Sequence, residues 1–228
     1  MERLLREGAF EGETHVVTGA GQGIGRCVAA ALAAHGAQVV LVDLDEGRLT
    51  EVQTEIAGSG APKPLVAAAN VTDEEAVKRV VAKALESSGC INGLVNVAGI
   101  TRDSRITKKT YDDFKAVMAV HLHGTFLFTR EVAVQHWHPL FKENGNQPLD
   151  DGVNRTIVNF SSVSARNGNI GQFDYTAAKG AIESATKTTA PQAHARVPPS
   201  VPASPPQEAT KVPTVPAGQK THTGKATA

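Results

Sequence analysis

The sequence lacks what a disulfide scaffold, a membrane span or a nucleic-acid binder would need. Only two cysteines, Cys27 and Cys90, occur in 228 residues. They fit no metal-ligand spacing, so reduced thiols in a cytoplasmic protein are expected. No apolar run approaches spanning length. The opening MERLLREGAFEGET has no long apolar core of the kind a secretory leader carries. Net charge is missing too, because 23 Lys and Arg balance 23 Asp and Glu. With no global field, neither nucleic acid nor a membrane surface is expected as a partner. One further scarcity is local. Residues 190–228 contain no Leu, Ile, Phe, Tyr, Trp or Met, and hold eight of the twelve prolines. Such a segment cannot bury enough apolar area to offset its ordering entropy, so a disordered proline-rich tail is expected there.

Residues 1–189 read differently. The apolar fraction of the chain, 41%, suffices for one sizeable core. Residues 14–19, 37–44, 64–71, 93–98 and 154–161 are short apolar runs and read as strands. Residues 24–34, 45–57, 73–88, 111–142 and 173–189 lie between or after them and read as helices, with Asp45 and Asp73 at two of the starts. Alternating strands and helices, with the strands apolar almost throughout, predict an α/β fold: a doubly wound parallel Rossmann sheet.

The first turn carries Thr18-Gly19-Ala20-Gly21-Gln22-Gly23-Ile24-Gly25 between a strand and a helix. Glycines let the backbone approach a pyrophosphate, and the helix start behind them offers free N–H groups. Asp43 ends the second strand, 18 residues beyond Gly25. A carboxylate there accepts from adenosine ribose hydroxyls and repels a 2′-phosphate, which favours NAD(H) over NADP(H). Asp45 is the better helix cap, which leaves Asp43 for this task. Arg48 weakens the preference, since it lies within reach of a 2′-phosphate. Leu44 follows Asp43 and joins the expected cofactor-binding set.

Tyr175 and Lys179 are i,i+4 neighbours on one helix face. A free phenol titrates near ~10, and a nearby ammonium favours its ionised form. Such a pair can exchange a proton with an alcohol or carbonyl.

Four motifs in order, over 14–189, resemble the short-chain dehydrogenase/reductase family. They are the glycine pattern from Thr18 to Gly25, Asn96-Val97-Ala98-Gly99, Ser162, and the Tyr175–Lys179 pair with Ser162 thirteen residues before the tyrosine. The resemblance implies that Tyr175 is the acid–base group, that Ser162 binds the substrate oxygen, and that Lys179 also holds the nicotinamide ribose. It implies cofactor contacts at Gly19, Gly21, Gln22, Gly23, Ile24, Gly25, Asn70, Val71, Asn96, Ala98 and Gly99. Asn70 stands where the family usually has Asp, keeping an acceptor and dropping a charge. Val97 replaces an Asn of the motif, and Asn96 reads as serving strand and loop geometry more than chemistry. His121 replaces the asparagine that holds a relay water. It either takes over that water or merely fills helix space.

Relatives of this family continue past the Tyr/Lys helix with a sixth strand, a Pro-Gly loop, a substrate-covering flap and a seventh strand. None is visible here, so a C-terminally truncated fold is expected, with the fifth strand as an apolar edge. Residues 168–172, Gly-Asn-Ile-Gly-Gln, resemble 3-oxoacyl-carrier-protein reductases and acyl-CoA-handling relatives, and imply a 3-oxoacyl or 3-hydroxyacyl thioester as the small-molecule substrate. The alternatives are an impaired family member that keeps nucleotide binding, or an interaction protein acting through the PxxP spacings at 202–205 and 213–216. The resemblance also implies a homo-oligomer paired through the long helix and the Tyr/Lys helix. His136 and His138 are i,i+2 on a helix and face apart, so no metal site is expected from them.

Overall fold

A computed structural model describes Arg6, residues 8–147 and residues 149–189. The expected tail at 190–228 lies outside the described residues.

Five parallel strands form one sheet in the order β3-β2-β1-β4-β5. They are β1 (Thr14–Thr18), β2 (Gln38–Asp43), β3 (Leu65–Ala68), β4 (Gly93–Asn96) and β5 (Thr156–Asn159). Helices α1 (Gly23–Ala34), α2 (Glu46–Gly58) and α3 (Glu74–Ser88) connect the first four. The chain builds outward from β1 to β3, then crosses back to place β4 on the other side of β1. The strand order therefore reverses between β1 and β4, which is where doubly wound sheets bind ligands.

Side chains alternate between two cores. Val16, Val40, Val42 and Leu94 point to one face and pack with Val77, Val81, Phe128 and Trp137. Val17, Val39, Leu41 and Val95 point to the other and pack with Ala29, Ala33, Leu49 and Ile56. Neighbouring residues of one strand serve opposite cores because strand side chains have a period of two. That is why the strands are apolar without alternation.

Local chemistry sets the helix ends. Asp45 Oδ1 accepts from Arg48 N at 3.1 Å, Asp73 Oδ1 from Ala76 N at 3.0 Å, and Thr110 Oγ1 from Asp113 N at 3.0 Å. These side chains satisfy amides that a helix start leaves unpaired. α3 stops at Gly89, whose φ of 71° suits glycine.

The expected helix over 111–142 is continuous but not uniform. α4 (Tyr111–Met118), α5 (Gly124–Val132) and α6 (His138–Glu143) are joined by π-helical turns at Ala119–His123 and Ala133–Trp137. The first turn holds His121, and the second holds Trp137, whose Nε1 donates to Ile91 O at 2.8 Å. A short α7 (Ser164–Asn167) and a 3-10 turn at Ile106–Lys108 were not evident in the sequence pattern. Helix α8 (Phe173–Thr189) carries Tyr175 and Lys179.

β5 pairs only with β4 among the described residues, and Val158 is 43% exposed. The expected apolar edge is present in the described sheet.

Phe128 is fully buried in the core that unites α3, α5 and the sheet. Phe128→Ala is expected to lower stability by about 3–5 kcal/mol, read by denaturant unfolding of the purified chain.

Candidate active site

A cleft of about 510 Å³ opens at the carboxyl ends of β1 to β4. Gly19, Gln22, Gly23, Ile24 and Gly25 line it behind β1, Asp43 and Leu44 behind β2, Asn70 and Val71 behind β3, and Ala98 and Gly99 behind β4. Eleven residues drawn from four separate stretches of sequence thus meet in one cavity. Ala69, Val97, Ile100 and Val120 complete the walls.

The glycines are there because the backbone closes on itself. A Cβ on Gly25 would stand 2.1 Å from Gly19 O, and Gly19 has φ +68° with Ala98 Cα 2.9 Å from where its Cβ would be. Thr18 Oγ1 fastens the two loops, accepting from Val97 N at 3.1 Å and Ala98 N at 3.2 Å. Unlike α2, α3 and α4, helix α1 has no side-chain cap and no acid in its first turn. Its first amides, uncapped by any side chain, start behind a glycine-rich turn, which suits a pyrophosphate. The residues present therefore fit a dinucleotide.

Asp43 corrects one expectation. Asp45 does cap α2, but Asp43 is not left free. Its Oδ2 accepts from Gly21 N at 3.1 Å and its Oδ1 from Asp45 N at 3.3 Å. A carboxylate has about four acceptor sites, so it braces the glycine loop and still faces the cleft. Gly21 does not line the cleft, because its amide is turned to Asp43. Arg48 is held by its neighbours: its Nη1 donates to Gln22 Oε1 at 2.5 Å and its Nε lies 3.2 Å from Asp45 Oδ2.

Asn70 differs from the expected acceptor. Its Oδ1 already takes bonds from Thr72 N at 3.0 Å and Thr72 Oγ1 at 2.9 Å. Thr72 N–H can only donate, so the Asn70 oxygen is committed to this turn. Asn96 also stays out of the cleft: its Nδ2 donates to Asn159 Oδ1 at 2.9 Å and ties β4 to β5.

Tyr175 and Lys179 come together as their spacing predicts, with the Lys179 ammonium 5.7 Å from the Tyr175 ring centroid. Lys179 is 4% exposed, and its Nζ donates to Phe160 O at 2.5 Å. Burial pulls its pKa down to about 8, so it remains largely charged at neutral pH. Ser162 Oγ accepts from Ser164 N at 3.2 Å, which leaves the hydroxyl's own hydrogen to donate.

His121 stands between the cleft and the tyrosine. Its ring lies edge-on to Tyr175 with centroids 5.2 Å apart. On its other side a Cβ on Gly99 would fall 2.2 Å from His121 Cε1. Nε2 meets the Ile100 backbone, 2.8 Å from the carbonyl and 3.1 Å from the amide. Nδ1 is buried with no partner. Burial is the main reason its pKa falls to about 4; the Ile100 carbonyl opposes, Lys179 adds to the drop, and Asp174 opposes. The ring fills the turn, and its Nδ1 is a nitrogen with the chemistry to hold a water molecule.

Sequence reasoning missed a clasp beside these residues. Ser104 N donates to Gly171 O at 2.9 Å, and Gln172 Nε2 to Asp103 Oδ2 at 3.0 Å. Lys109 Nζ donates to Asp174 at 3.1 Å and 3.0 Å. Asp174 reads in sequence as an ordinary acid in a first helical turn. Nothing in the pattern signals its burial. No cluster of three or more His, Cys, Asp or Glu suited to a metal occurs among the described residues.

A family model described as short chain dehydrogenase matches residues 13–197. The chain belongs to the short chain dehydrogenase family. It is 36% identical over 182 residues to the 3-oxoacyl-(acyl-carrier-protein) reductase of Thermotoga maritima, covering 79% of this chain and 68% of that one. It is 35% identical over 186 residues to the (3R)-3-hydroxyacyl-CoA dehydrogenase of Mus musculus, covering 77% and 66%. A crystal structure of a short chain dehydrogenase from Mycobacterium avium matches with a TM-score of 0.73 at 35% identity, over 80% of this chain and 63% of that one. The chain thus spans about two thirds of the length of these relatives. Members of the family are oxidoreductases that use NAD(H) or NADP(H). No described helix is long and apolar enough to cross a membrane.

The depressed His121 pKa links stability to pH. Above its unfolded value of 6.5 the ring is neutral in both states and contributes no slope. Between 6.5 and about 4 only the unfolded chain takes the proton, so stability falls as pH drops through that window. The loss is about 3 kcal/mol at most. His15 and His136 are also shifted down by burial and add to the same slope, so denaturant titrations at several pH values are expected to show a steeper fall in the parent than in His121→Asn.

Proposed function

We propose that this chain is an NAD(H)-dependent oxidoreductase that interconverts a secondary alcohol and a ketone, with a 3-oxoacyl or 3-hydroxyacyl thioester as substrate. The observation that carries the reading is the contiguity of the site. The cleft wall at Gly99 and Ile100 touches His121, His121 touches Tyr175, and Lys179 lies over the Tyr175 ring. The names of the Thermotoga and mouse relatives support the thioester.

The fit of the cleft to a dinucleotide supports the cofactor. Bound there, a nicotinamide would supply the two-electron acceptor or donor. Gly19, Gln22, Gly23, Ile24 and Gly25 would cradle the pyrophosphate, Asp43 would accept from the ribose hydroxyls, and the walls at Leu44, Asn70, Val71, Ala98 and Gly99 would enclose the rest. Gly21 and Asn96 would act indirectly, by fixing loops. Asp43 is the reason to favour NAD(H), because its charge opposes a 2′-phosphate. Arg48, tied to Gln22 and Asp45, is less available to attract one.

Ser162 would donate to the substrate oxygen. Tyr175 would take the proton from an alcohol, or return it to a carbonyl oxygen. The Lys179 ammonium would favour the ionised phenol and keep two N–H groups for the nicotinamide ribose, since Phe160 O occupies one. His121 Nδ1 would anchor a water through which the proton leaves.

Cys27 and Cys90 are unpaired, in keeping with a reducing, cytoplasmic setting. Phe126 and Val134 on the long helix are 56% and 57% exposed. These apolar side chains support pairing of two copies through this helix and α8.

Four outcomes test the reading. NADH fluorescence should change on addition of the chain, and an acetoacetyl thioester should then be reduced. Tyr175→Phe should lower turnover by roughly 10²–10⁴-fold while the NADH titration stays the same; unchanged turnover would remove Tyr175 from its role. Asp43→Ser should raise the kcat/KM ratio of NADPH to NADH at least tenfold, about 1.4 kcal/mol of discrimination, and an unchanged ratio would reject Asp43 as the selector.

A further inference from the structure

The segment between β4 and α4 carries charge that the proposed chemistry does not use. Residues 100–110 hold Arg102, Arg105, Lys108 and Lys109 against one acid, Asp103. The chain as a whole is balanced, so this excess is local. Lys109 is spent on Asp174, and Asp103 on Gln172. Arg102 has an acid, Asp113, no nearer than 4.0 Å. Arg105 and Lys108 are exposed, and among the described residues no acid pairs with either.

The loop borders the site at both ends. Ile100 lines the cleft, and its backbone meets His121. Lys109 is bonded to Asp174, the residue before Tyr175. In between, Ser104 N donates to Gly171 O and ties the loop to the segment that precedes α8. Within two residues of that bond, Ile106 on the loop is 64% exposed and Ile170 on the facing segment is 93% exposed. Lys108 adjoins the anchored Lys109, and Arg105 is four residues from it, so its backbone lies within about 14 Å. Apolar side chains and unpaired cations thus share the border of the site that holds Tyr175.

A carrier thioester presents these two chemistries in sequence. Its acyl group and pantetheine arm are uncharged, and its phosphates sit at the far end of the arm, away from the reacting carbon. They are met at the mouth of a site and not inside it. Guanidinium and ammonium groups bind phosphate as charged donors.

We propose that the loop at 102–108 is the phosphate-reading rim of the substrate site and takes a coenzyme A thioester. Arg105 and Lys108, with Arg102 beside them, meet the nucleotide phosphates, while Ile106 and Ile170 flank the arm. The inference rests on the thioester reading of the proposed function and adds the carrier. Cations confined to so short a stretch suit a compact group of phosphates. An acidic carrier protein would bring a broad face, and Asp112, 89% exposed at the start of α4, would stand against it.

The full chain is tested with NADH and two thioesters that share the reacting group: acetoacetyl-CoA, and acetoacetyl-N-acetylcysteamine, which ends before the phosphates. Arg105→Gln combined with Lys108→Gln removes two charges that have no partner to lose. The ratio of kcat/KM for the two thioesters should fall roughly tenfold in this double variant, through a higher KM for acetoacetyl-CoA at unchanged kcat. Added salt should narrow the ratio in the parent and move it little in the variant. An unchanged ratio overturns the proposal. So does a parent that prefers an acetoacetyl carrier-protein thioester to acetoacetyl-CoA and loses that preference in the double variant. A second measurement needs no turnover: calorimetric titration of coenzyme A and of pantetheine in excess NADH, which keeps coenzyme A out of the dinucleotide cleft. Coenzyme A should bind roughly tenfold tighter than pantetheine, and the double variant should lose the difference. That result without thioester reduction would sink the proposed reaction and keep the rim. No difference in the parent overturns the rim, whatever the turnover.

Discussion

The structure depends on how closely two turns can meet at the point where strand order reverses. The loop behind β1 and the loop behind β4 touch through backbone, with Gly19 against Ala98 and the Thr18 hydroxyl holding two amides across the gap. Gly25 lets helix α1 start directly behind that contact. A side chain at Gly19 or Gly25 would push the loops apart. The cleft would lose its floor, and the segment from Gly99 to Ile100 would lose its place against His121. Tyr175 lies one ring beyond. The Tyr175 end of the site is thus positioned through the same contact that closes the glycine turn.

Charge is distributed along this path in a way that separates the two halves. The end of the cleft behind β2 has one carboxylate, Asp43, already partly spent on the glycine loop. The tyrosine end has Lys179, whose pKa burial lowers to about 8 so that it stays mostly charged at neutral pH, and a histidine that burial keeps neutral there. The π-helical turn that holds His121 is where a long helix bulges to bring a ring between cleft and tyrosine. Such turns interrupt regular hydrogen bonding and are common at functional sites. Here the interruption has an identifiable consequence: Nδ1 is left inside the protein without a partner.

Much of the fold was legible in sequence. Strands that serve two cores must be apolar on both sides, and that produces runs such as Val39-Val40-Leu41-Val42 that cannot be mistaken for half-exposed strands. Asp45 and Asp73 marked two helix starts because capping is local. The Gly19–Gly25 pattern and the Tyr175–Lys179 spacing were legible for the same reason, since each lies within a few residues. The readings that needed revision concern side chains whose partners are distant or whose local turn competes for them. Asp43 braces Gly21, and the Asn70 oxygen belongs to Thr72. Asn96, read as serving strand geometry, does reach Asn159 across a strand pair.

The sequence by itself determined the parallel α/β sheet, the glycine turn, the acid at the end of β2 and the Tyr–Lys helix, because all are written in local spacing and periodicity. Tertiary structure alone decided that His121 would be neutral and wedged between cleft and phenol, and that Lys109 would meet Asp174 in a dry interior. Burial and long-range pairing set the charge state of a group. Neither is a property of the residues beside it in the chain.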